Sequence, residues 1–291
     1  MKVTLKDYKN DVKPDWCAGC GDFSVLAGIN RAVVNLGIKP ENVVISAGIG
    51  CSGKISGYTR AYGVQGLHGR SLPVAQGIKL ANQDLTVFAM GGDGDGYAIG
   101  IGHAVHAMKR NVNMTYVVMD NHVYGLTKGQ ASPRSDIGFV TKTTPRGAFE
   151  SPLSVCETAI AAGATFVAQG YMINRAELVD LIQQAMDHEG FSFINVFSPC
   201  VTYNKHNSYD WFKEHLVALP EGYDPTDRAT ALKTLGETDG LVTGLIYQDN
   251  SKPSFEKAMA AANGGPHPRP LTEDVVKPDQ ALFDSLCNQF K

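Results

Sequence analysis

The stretch Leu85-Thr86-Val87-Phe88-Ala89-Met90-Gly91-Gly92-Asp93-Gly94-Asp95-Gly96 decides the fold of this chain. Leu85 to Met90 is an apolar run of strand length, the pattern of a strand buried on both faces of a parallel sheet. The glycines that follow suit a tight strand-to-helix turn, and Tyr97 to Arg110 continues as a helix. Glycines at such a turn let backbone amides approach an anion closely, and the helix N-terminus adds partial positive charge. A carboxylate inside a phosphate-binding turn would repel its ligand unless a divalent cation lay between them. Asp93 therefore reads as a magnesium ligand, although a turn in which Asp93 caps the next helix accounts for the same residues.

Working outward, a second buried run, Met114 to Met119, ends in Asp120-Asn121-His122-Val123-Tyr124-Gly125. In an open parallel sheet both strand ends face one crevice, where Asn121 can offer an amide oxygen to the same ion. Gly-Asp-Gly, 26 intervening residues and Asn together resemble the diphosphate-binding motif of thiamine-dependent enzymes. Further buried strands are expected at Val43 to Ala47 and Phe191 to Phe197, with a weaker one at Thr165 to Ala168. Helices are expected at Leu72 to Asn82, at Pro152 to Ala162 with Ser151 as N-cap, and around Leu178, Leu181, Ile182 and Ala185, which recur at helical spacing. This alternation predicts an α/β, doubly wound, mostly parallel sheet over residues 1–220. Residues 221–291, interrupted by Pro225, Pro253, Pro266, Pro268 and Pro270, read as an extended, partly helical C-terminal tail. Its helices are expected at Ser254 to Asn263 and Asp279 to Phe290.

Composition narrows the function classes. With 291 residues, 43% hydrophobic and 19% charged, the chain is of globular type. Its formal charge of −3 gives no electrostatic reason to expect nucleic acid. No apolar run approaches ~20 residues, and the N-terminal stretch lacks the apolar block of a secretory signal, so a cytoplasmic protein without a membrane partner is expected.

Six cysteines in such a chain suit metal ligation or buried thiols better than disulfides. Cys17 and Cys20 form a Cys-x-x-Cys pair that alone fits a redox dithiol, half a zinc site or half an iron–sulfur site. There is no second such pair, as a zinc ribbon would require. Cys51 stands just beyond the first buried strand and Cys200 just beyond the last, both on the side of the glycine-rich turn. Four thiolates converging there would make a [4Fe–4S] site. Cys156 and Cys287 read as ordinary buried thiols.

A thiamine diphosphate motif and a split set of four cysteines on one chain resemble the β subunit of 2-oxoacid:ferredoxin oxidoreductases. The resemblance runs through Trp-Cys-Ala-Gly-Cys-Gly at 16–21, Gly-Ile-Gly-Cys-Ser-Gly at 48–53, Leu-His-Gly-Arg at 67–70 and Gly-Gly-Asp-Gly-Asp at 91–95. It continues in Asp-Asn-His-Val-Tyr-Gly-Leu-Thr-Lys-Gly-Gln at 120–130 and Ser-Pro-Cys at 198–200. It implies a sheet of the thiamine diphosphate-binding type and oxidative decarboxylation of a 2-oxoacid to an acyl-coenzyme A, or the reverse carboxylation, with electrons passed singly to ferredoxin. Thiamine diphosphate, Mg²⁺ and one [4Fe–4S] cluster are the implied cofactors, with coenzyme A as co-substrate. An α subunit would complete the site in an α₂β₂ assembly.

By the same resemblance, cofactor contacts fall at Ile49, Gly50, Cys51 and His68, and at Gly92, Asp93, Gly94 and Asp95. A third group comprises Asn121, Val123, Gly125, Leu126 and Thr127. Cys17, Cys20, Cys51 and Cys200 would hold the cluster, and Asp93, Asn121 and the Val123 carbonyl the magnesium. Lys54 and His68 are the expected catalytic residues, and Lys54 and Leu126 the expected substrate contacts. A fixed cation at Lys54 favours a 2-oxoacid with a distal carboxylate, such as 2-oxoglutarate, over pyruvate. A solvated lysine or a diphosphate contact are the other readings of Lys54. Arg70 sits beside the cofactor or makes a structural hydrogen bond, and His103 and His106 are ordinary helix residues.

Overall fold

The structure is a computed structural model that describes residues 2–265 and 280–289. Eight strands form one sheet. They are β1 (Val43–Ala47), β2 (Tyr62–Gln65), β3 (Thr86–Gly92), β4 (Met114–Asp120), β5 (Phe166–Tyr171), β6 (Phe191–Phe197), β7 (Val217–Ala218) and β8 (Val242–Gln248), in the order β2-β1-β3-β4-β6-β5-β8-β7. Every pairing is parallel except β5 with β8. The expected α/β class and mostly parallel sheet are therefore what the chain forms.

Helices cover both faces, which is why β1, β4, β5 and β6 are buried along their whole length. One core packs α1 (Asp22–Asn35), α5 (Arg175–Asp187) and α6 (Tyr209–His215) on the sheet through residues such as Ile29, Leu178 and Phe212. The opposite core packs α2 (Ser71–Ala81), α3 (Ile101–Arg110), α4 (Val155–Ala162) and α7 (Arg228–Glu237) through residues such as Leu72, Met108, Ile160 and Leu235. Two short helices follow, α8 (Phe255–Ala262) and α9 (Gln280–Asn288). No helix among the described residues is long and apolar enough to cross a membrane.

Strand order reverses between β1 and β3, since the chain runs from β1 out to β2 and then returns to the other side. In open parallel sheets the C-terminal ends of the strands at such a reversal bound a ligand crevice. Here that crevice lies between the loops that follow β1 and β3.

Several elements differ from expectation. Strand β2 is exposed throughout, so it lacks an apolar run. The expected tail is not extended over its first part: α7 buries Ala231 and Leu235, and β8 adds to the sheet beside β5, across a bulge at Val167/Ala168. The amide of buried Gln169 holds the entry to β8 by donating to Gly240 O at 2.6 Å and Val242 O at 2.8 Å. Helix α4 starts at Val155, not Pro152, because Leu153 is pinned in the chain ahead of it. Leu153 N donates to Pro133 O, and Leu153 O accepts from Arg134 Nη1 at 2.6 Å. The helix expected at Ser254 to Asn263 forms as α8, and Ser254 caps it, its Oγ accepting from Lys257 N at 3.3 Å. Of the last expected helix, the ends Asp279 and Phe290 lie outside the described residues, as do Pro266, Pro268 and Pro270. Cys287 is exposed rather than buried, whereas Cys156 is buried.

Asn111 joins this C-terminal part to the sheet. It ends α3 in a left-handed conformation, φ 62°, which asparagine tolerates better than other side chains. Its buried side chain accepts from Phe191 N at 2.8 Å and donates to Pro253 O at 3.0 Å, while its carbonyl accepts from Phe255 N. Asn111→Ala leaves a buried N–H without an acceptor in a backbone conformation alanine disfavours. A loss of roughly 2–4 kcal/mol is expected in urea unfolding; a change below 1 kcal/mol, on the order of an exposed substitution, would contradict this account.

Candidate active site

The glycine-rich turn begins where β3 ends at Gly92, and one π-helical turn, Asp95–Ile99, carries the chain into α3. Asp95 is buried. Its Oδ1 accepts from Ile49 N and Gly69 N, each at 2.8 Å, and lies 2.7 Å from His68 Nδ1. One carboxylate oxygen thus joins the loop after β1, the loop before α2 and the turn after β3. Gly48 is required beside it, because a Cβ there would overlap the Asp95 carboxylate. The sequence located Asp95 in the turn but not this clamp.

Asp93 lies buried two residues earlier. It accepts from Ser132 Oγ, and burial followed by the negative charge of Asp120 pushes its carboxyl up to about 8. A buried carboxyl held this far from its ordinary range would return to the anionic form against a cation. Asn121 is nearly buried, and its Oδ1 accepts from Val123 N at 3.1 Å. Between them His122 takes a left-handed φ of 57° and packs its ring against Phe197 and Phe212. Asn204 Nδ2 donates to Asn121 O at 3.0 Å, and Tyr124 OH donates to Gly94 O at 3.0 Å. Gly94 has no room for a Cβ against the Tyr124 ring. Asp93 and Asn121 thus each offer a side-chain oxygen, the donor type magnesium takes.

Below these loops, Arg134 Nε donates to Asp120 Oδ2 at 2.9 Å and Asn195 Nδ2 donates to the same oxygen at 3.2 Å. Burial acts to raise Asp120, but the Arg134 guanidinium and His122 outweigh it and hold the carboxyl below its ordinary range. Ser132 and Arg134 were not singled out from sequence. Their only signal is position, immediately after the Lys-Gly-Gln run at 128–130.

Two of the four selected cysteines, Cys51 and Cys200, lie at the loop after β4. A Cβ placed on Gly125 would lie 3.4 Å from Cys200 Sγ and 3.9 Å from Cys51 Sγ, so these two thiols flank the Asn121 loop. Cys20 lies within electrostatic range of Cys200 and Cys51, and Cys51 of Cys17. Trp16 Nε1 donates to Cys51 O at 2.7 Å, tying the Cys-x-x-Cys segment to the loop after β1. Burial, then the Asp22 charge, raises the Cys20 thiol, and the same causes push Cys51 up to about 11. Metal binding to such thiols would release their protons. Among the described residues no three His, Cys, Asp or Glu are disposed to hold a single metal ion. A cluster, with one thiolate on each iron, asks less convergence than one tetrahedral ion.

The remaining expected residues divide. His68 is partly exposed beside Tyr124, with its ring held against Asp95. Leu126 is exposed, while Thr127 Oγ1 is turned onto Gln130 of its own loop. Lys54 Nζ pairs with Asp15 at 2.9 Å, and Asp15 also accepts from Tyr58 OH. The Asp15 hydrogen bond raises the Lys54 ammonium above its ordinary value. Arg70 Nη1 meets the His103 ring, the structural contact that was one of its two readings.

A switch-point crevice built on Gly-Asp-Gly at the end of β3 and Asn at the end of β4 defines a thiamine diphosphate-binding domain, and residues 48–196 match the family described as thiamine pyrophosphate enzyme, C-terminal TPP binding domain. Residues 200–263 match the family of the C-terminal part of the pyruvate ferredoxin oxidoreductase β subunit. The chain is 41% identical over 271 residues to 2-oxoacid:ferredoxin oxidoreductase 2, subunit beta, of Aeropyrum pernix, covering 89% of this chain and 88% of that one. It is 39% identical over 268 residues to the 2-oxoglutarate synthase subunit KorB of Methanocaldococcus jannaschii, covering 89% and 96%. The structure of a 2-oxoglutarate:ferredoxin oxidoreductase from Magnetococcus marinus, solved with 2-oxoglutarate, coenzyme A and succinyl-CoA, superposes with a TM-score of 0.87 at 38% identity over 98% of this chain and 96% of that one. The chain belongs to the family of 2-oxoacid:ferredoxin oxidoreductase β subunits.

Asp22, between the thiols and α1, yields a pH test. Burial pushes its carboxyl up to about 6, against hydrogen bonds from Ser198 and Cys20. Because the folded value lies above the ordinary one, the folded chain binds more protons between about pH 4 and 6, and stability falls as pH rises through that window. Asp22→Asn should flatten this part of the pH–stability curve of the metal-free chain and raise its stability above pH 6, by roughly 3 kcal/mol. An unchanged urea midpoint profile would show that Asp22 does not carry the effect.

Proposed function

We propose that this chain is the cofactor-bearing half of a 2-oxoglutarate:ferredoxin oxidoreductase, forming succinyl-coenzyme A with release of carbon dioxide or running in reverse. The observation that carries the reading is the buried Asp93 carboxyl just after β3, with the loop that carries Asn121 and Val123 following the adjacent strand β4 and Cys51 and Cys200 flanking that loop. Asp93, Asn121 Oδ1 and Val123 O would hold Mg²⁺ against the diphosphate of thiamine diphosphate. Loop residues Ile49, Gly50, Cys51, Gly92, Gly94, Asp95, Gly125, Leu126 and Thr127 would surround the cofactor. Cys17, Cys20, Cys51 and Cys200 would hold a [4Fe–4S] cluster. Bound there, thiamine diphosphate supplies the carbon nucleophile for a 2-oxoacid, and the cluster takes up electrons one at a time for transfer to ferredoxin.

The residues of this chain do the rest. Asp93 places the cation, Ser132 fixes the Asp93 carboxyl, and His68 lies where it can meet a ligand in the crevice. Lys54 provides the cation for the distal carboxylate. Its partner Asp15 is 63% exposed and Lys54 itself 31%, so their pairing is a weak surface ion pair that is readily exchanged for a substrate carboxylate. The crevice is rimmed by exposed apolar side chains, among them Ile49, Leu67, Ile99 and Leu126. Such a rim calls for a partner, which in an α₂β₂ assembly is the α subunit that closes the site and contributes to coenzyme A binding. Six free thiols accord with a reducing cytoplasm.

Two measurements test the reading. The anaerobically purified complex should be brown, contain iron and bind thiamine diphosphate only with Mg²⁺; Asp93→Ala should abolish that binding. A colourless complex with one zinc per chain would refute it. Lys54→Ile should lower kcat/KM for 2-oxoglutarate by about 10²-fold while changing that for pyruvate less than threefold; equal effects on both would remove Lys54 from substrate selection.

A further inference from the structure

We propose that Asp95 sets the tautomer of His68, so that His68 presents its bare Nε2 to the crevice as a hydrogen-bond acceptor for a hydroxyl or amino group of a bound ligand. Asp95 is thereby a positioning residue and His68 the group that meets the ligand. The inference rests on the proposed function only in taking the crevice as the place of cofactor and substrate.

One oxygen fixes the ring. Asp95 Oδ1 already accepts two backbone N–H groups, from Ile49 and Gly69, at 2.8 Å each. A proton on this oxygen would face both donors, so the hydrogen in its 2.7 Å contact with His68 sits on Nδ1. In the neutral ring Nε2 is then the acceptor. His68 and Gly69 are neighbours in sequence and grip the same oxygen, one through its ring and the other through its backbone. A Cβ on Gly69 would fall 2.6 Å from Gly100 N, which keeps this loop against the turn after Asp95. Tyr124 stands edge-on to the imidazole, with ring centroids 6.3 Å apart. The Asp95 side chain is 1% exposed and that of His68 38%, so the acid is sealed while the imidazole remains open to a ligand. Among the described residues His68 makes no other hydrogen bond. The arrangement repeats a general device, in which a buried carboxylate orients an imidazole through one nitrogen and leaves the other for chemistry.

The tautomer is read directly from long-range ¹H–¹⁵N spectra of the full chain labelled at histidine, with His68→Gln identifying the His68 signals. The wild-type chain should show hydrogen on Nδ1 and a bare Nε2. Asp95→Asn, whose amide oxygen can occupy the Oδ1 position, should retain that pattern. Asp95→Ala should shift His68 toward the Nε2–H form that free imidazole prefers. Hydrogen on Nε2 in the wild-type chain, or an Asp95→Ala spectrum identical to wild type, would overturn the proposal. In the complex with its partner, His68→Phe should lower kcat by about 10²-fold. If the donor belongs to thiamine diphosphate, its affinity falls as well; if it belongs to coenzyme A, thiamine diphosphate affinity holds and the KM for coenzyme A rises. An unchanged kcat, KM and cofactor affinity would remove His68 from the site. The spectra need no cofactor, so their failure leaves the proposed function standing, while a complex that does not bind thiamine diphosphate with Mg²⁺ refutes that function without touching the tautomer.

Discussion

Oδ1 of Asp95 accepts three donors, from Ile49, His68 and Gly69, and the crevice depends on that one oxygen. A parallel sheet brings loops to one end, but it does not fix them against one another. Here the loop after β1 and the loop before α2 are both held by their backbone N–H groups to a side chain in the turn after β3. Charge-assisted hydrogen bonds of this kind are about twice as strong as neutral ones. They also require glycine at 48, since no side chain fits beside the carboxylate.

Beneath the clamp the sheet carries a line of buried polar groups where an α/β core is usually apolar. Tyr97 OH donates to Asn195 Oδ1 at 2.7 Å, Asn195 reaches both Asp120 and Gln169, and Gln169 reaches the start of β8. Arg134 neutralises Asp120 at one end. Losing one member strands the others, so such a line specifies register and neighbours more than it adds stability. It also couples the C-terminal strand β8 to the floor of the crevice, although β8 lies three strands away from β4.

Much of this was legible in the sequence, for a plain reason. Strands β1, β3, β4 and β6 are buried on both faces, so each appears as an unbroken apolar run, and the turn chemistry after β3 and β4 is written in glycine, aspartate and asparagine. The convergence of Cys51 and Cys200 followed from the same strand ends. What was not legible depends on partners distant in sequence. Strand β2 is exposed, β8 is held by Gln169 from 71 and 73 residues away, and α4 begins late because of Pro133 and Arg134. The Asp95 clamp was hidden because an aspartate in a glycine turn looks the same whether its side chain faces water or three donors. The Lys54–Asp15 pair was hidden in the same way, joining residues 39 apart through side chains alone.

The four selected cysteines come from the segment before α1, the loop after β1 and the loop after β6. During synthesis the first three leave the ribosome well before Cys200, which emerges only when some two thirds of the chain has been made. Cys51 and Cys200 become neighbours only after β1 and β6 have both taken their places, with β3 and β4 between them. Any group that all four cysteines held would therefore have to settle on a sheet that is already assembled, which would make its loading a late step in the life of the protein.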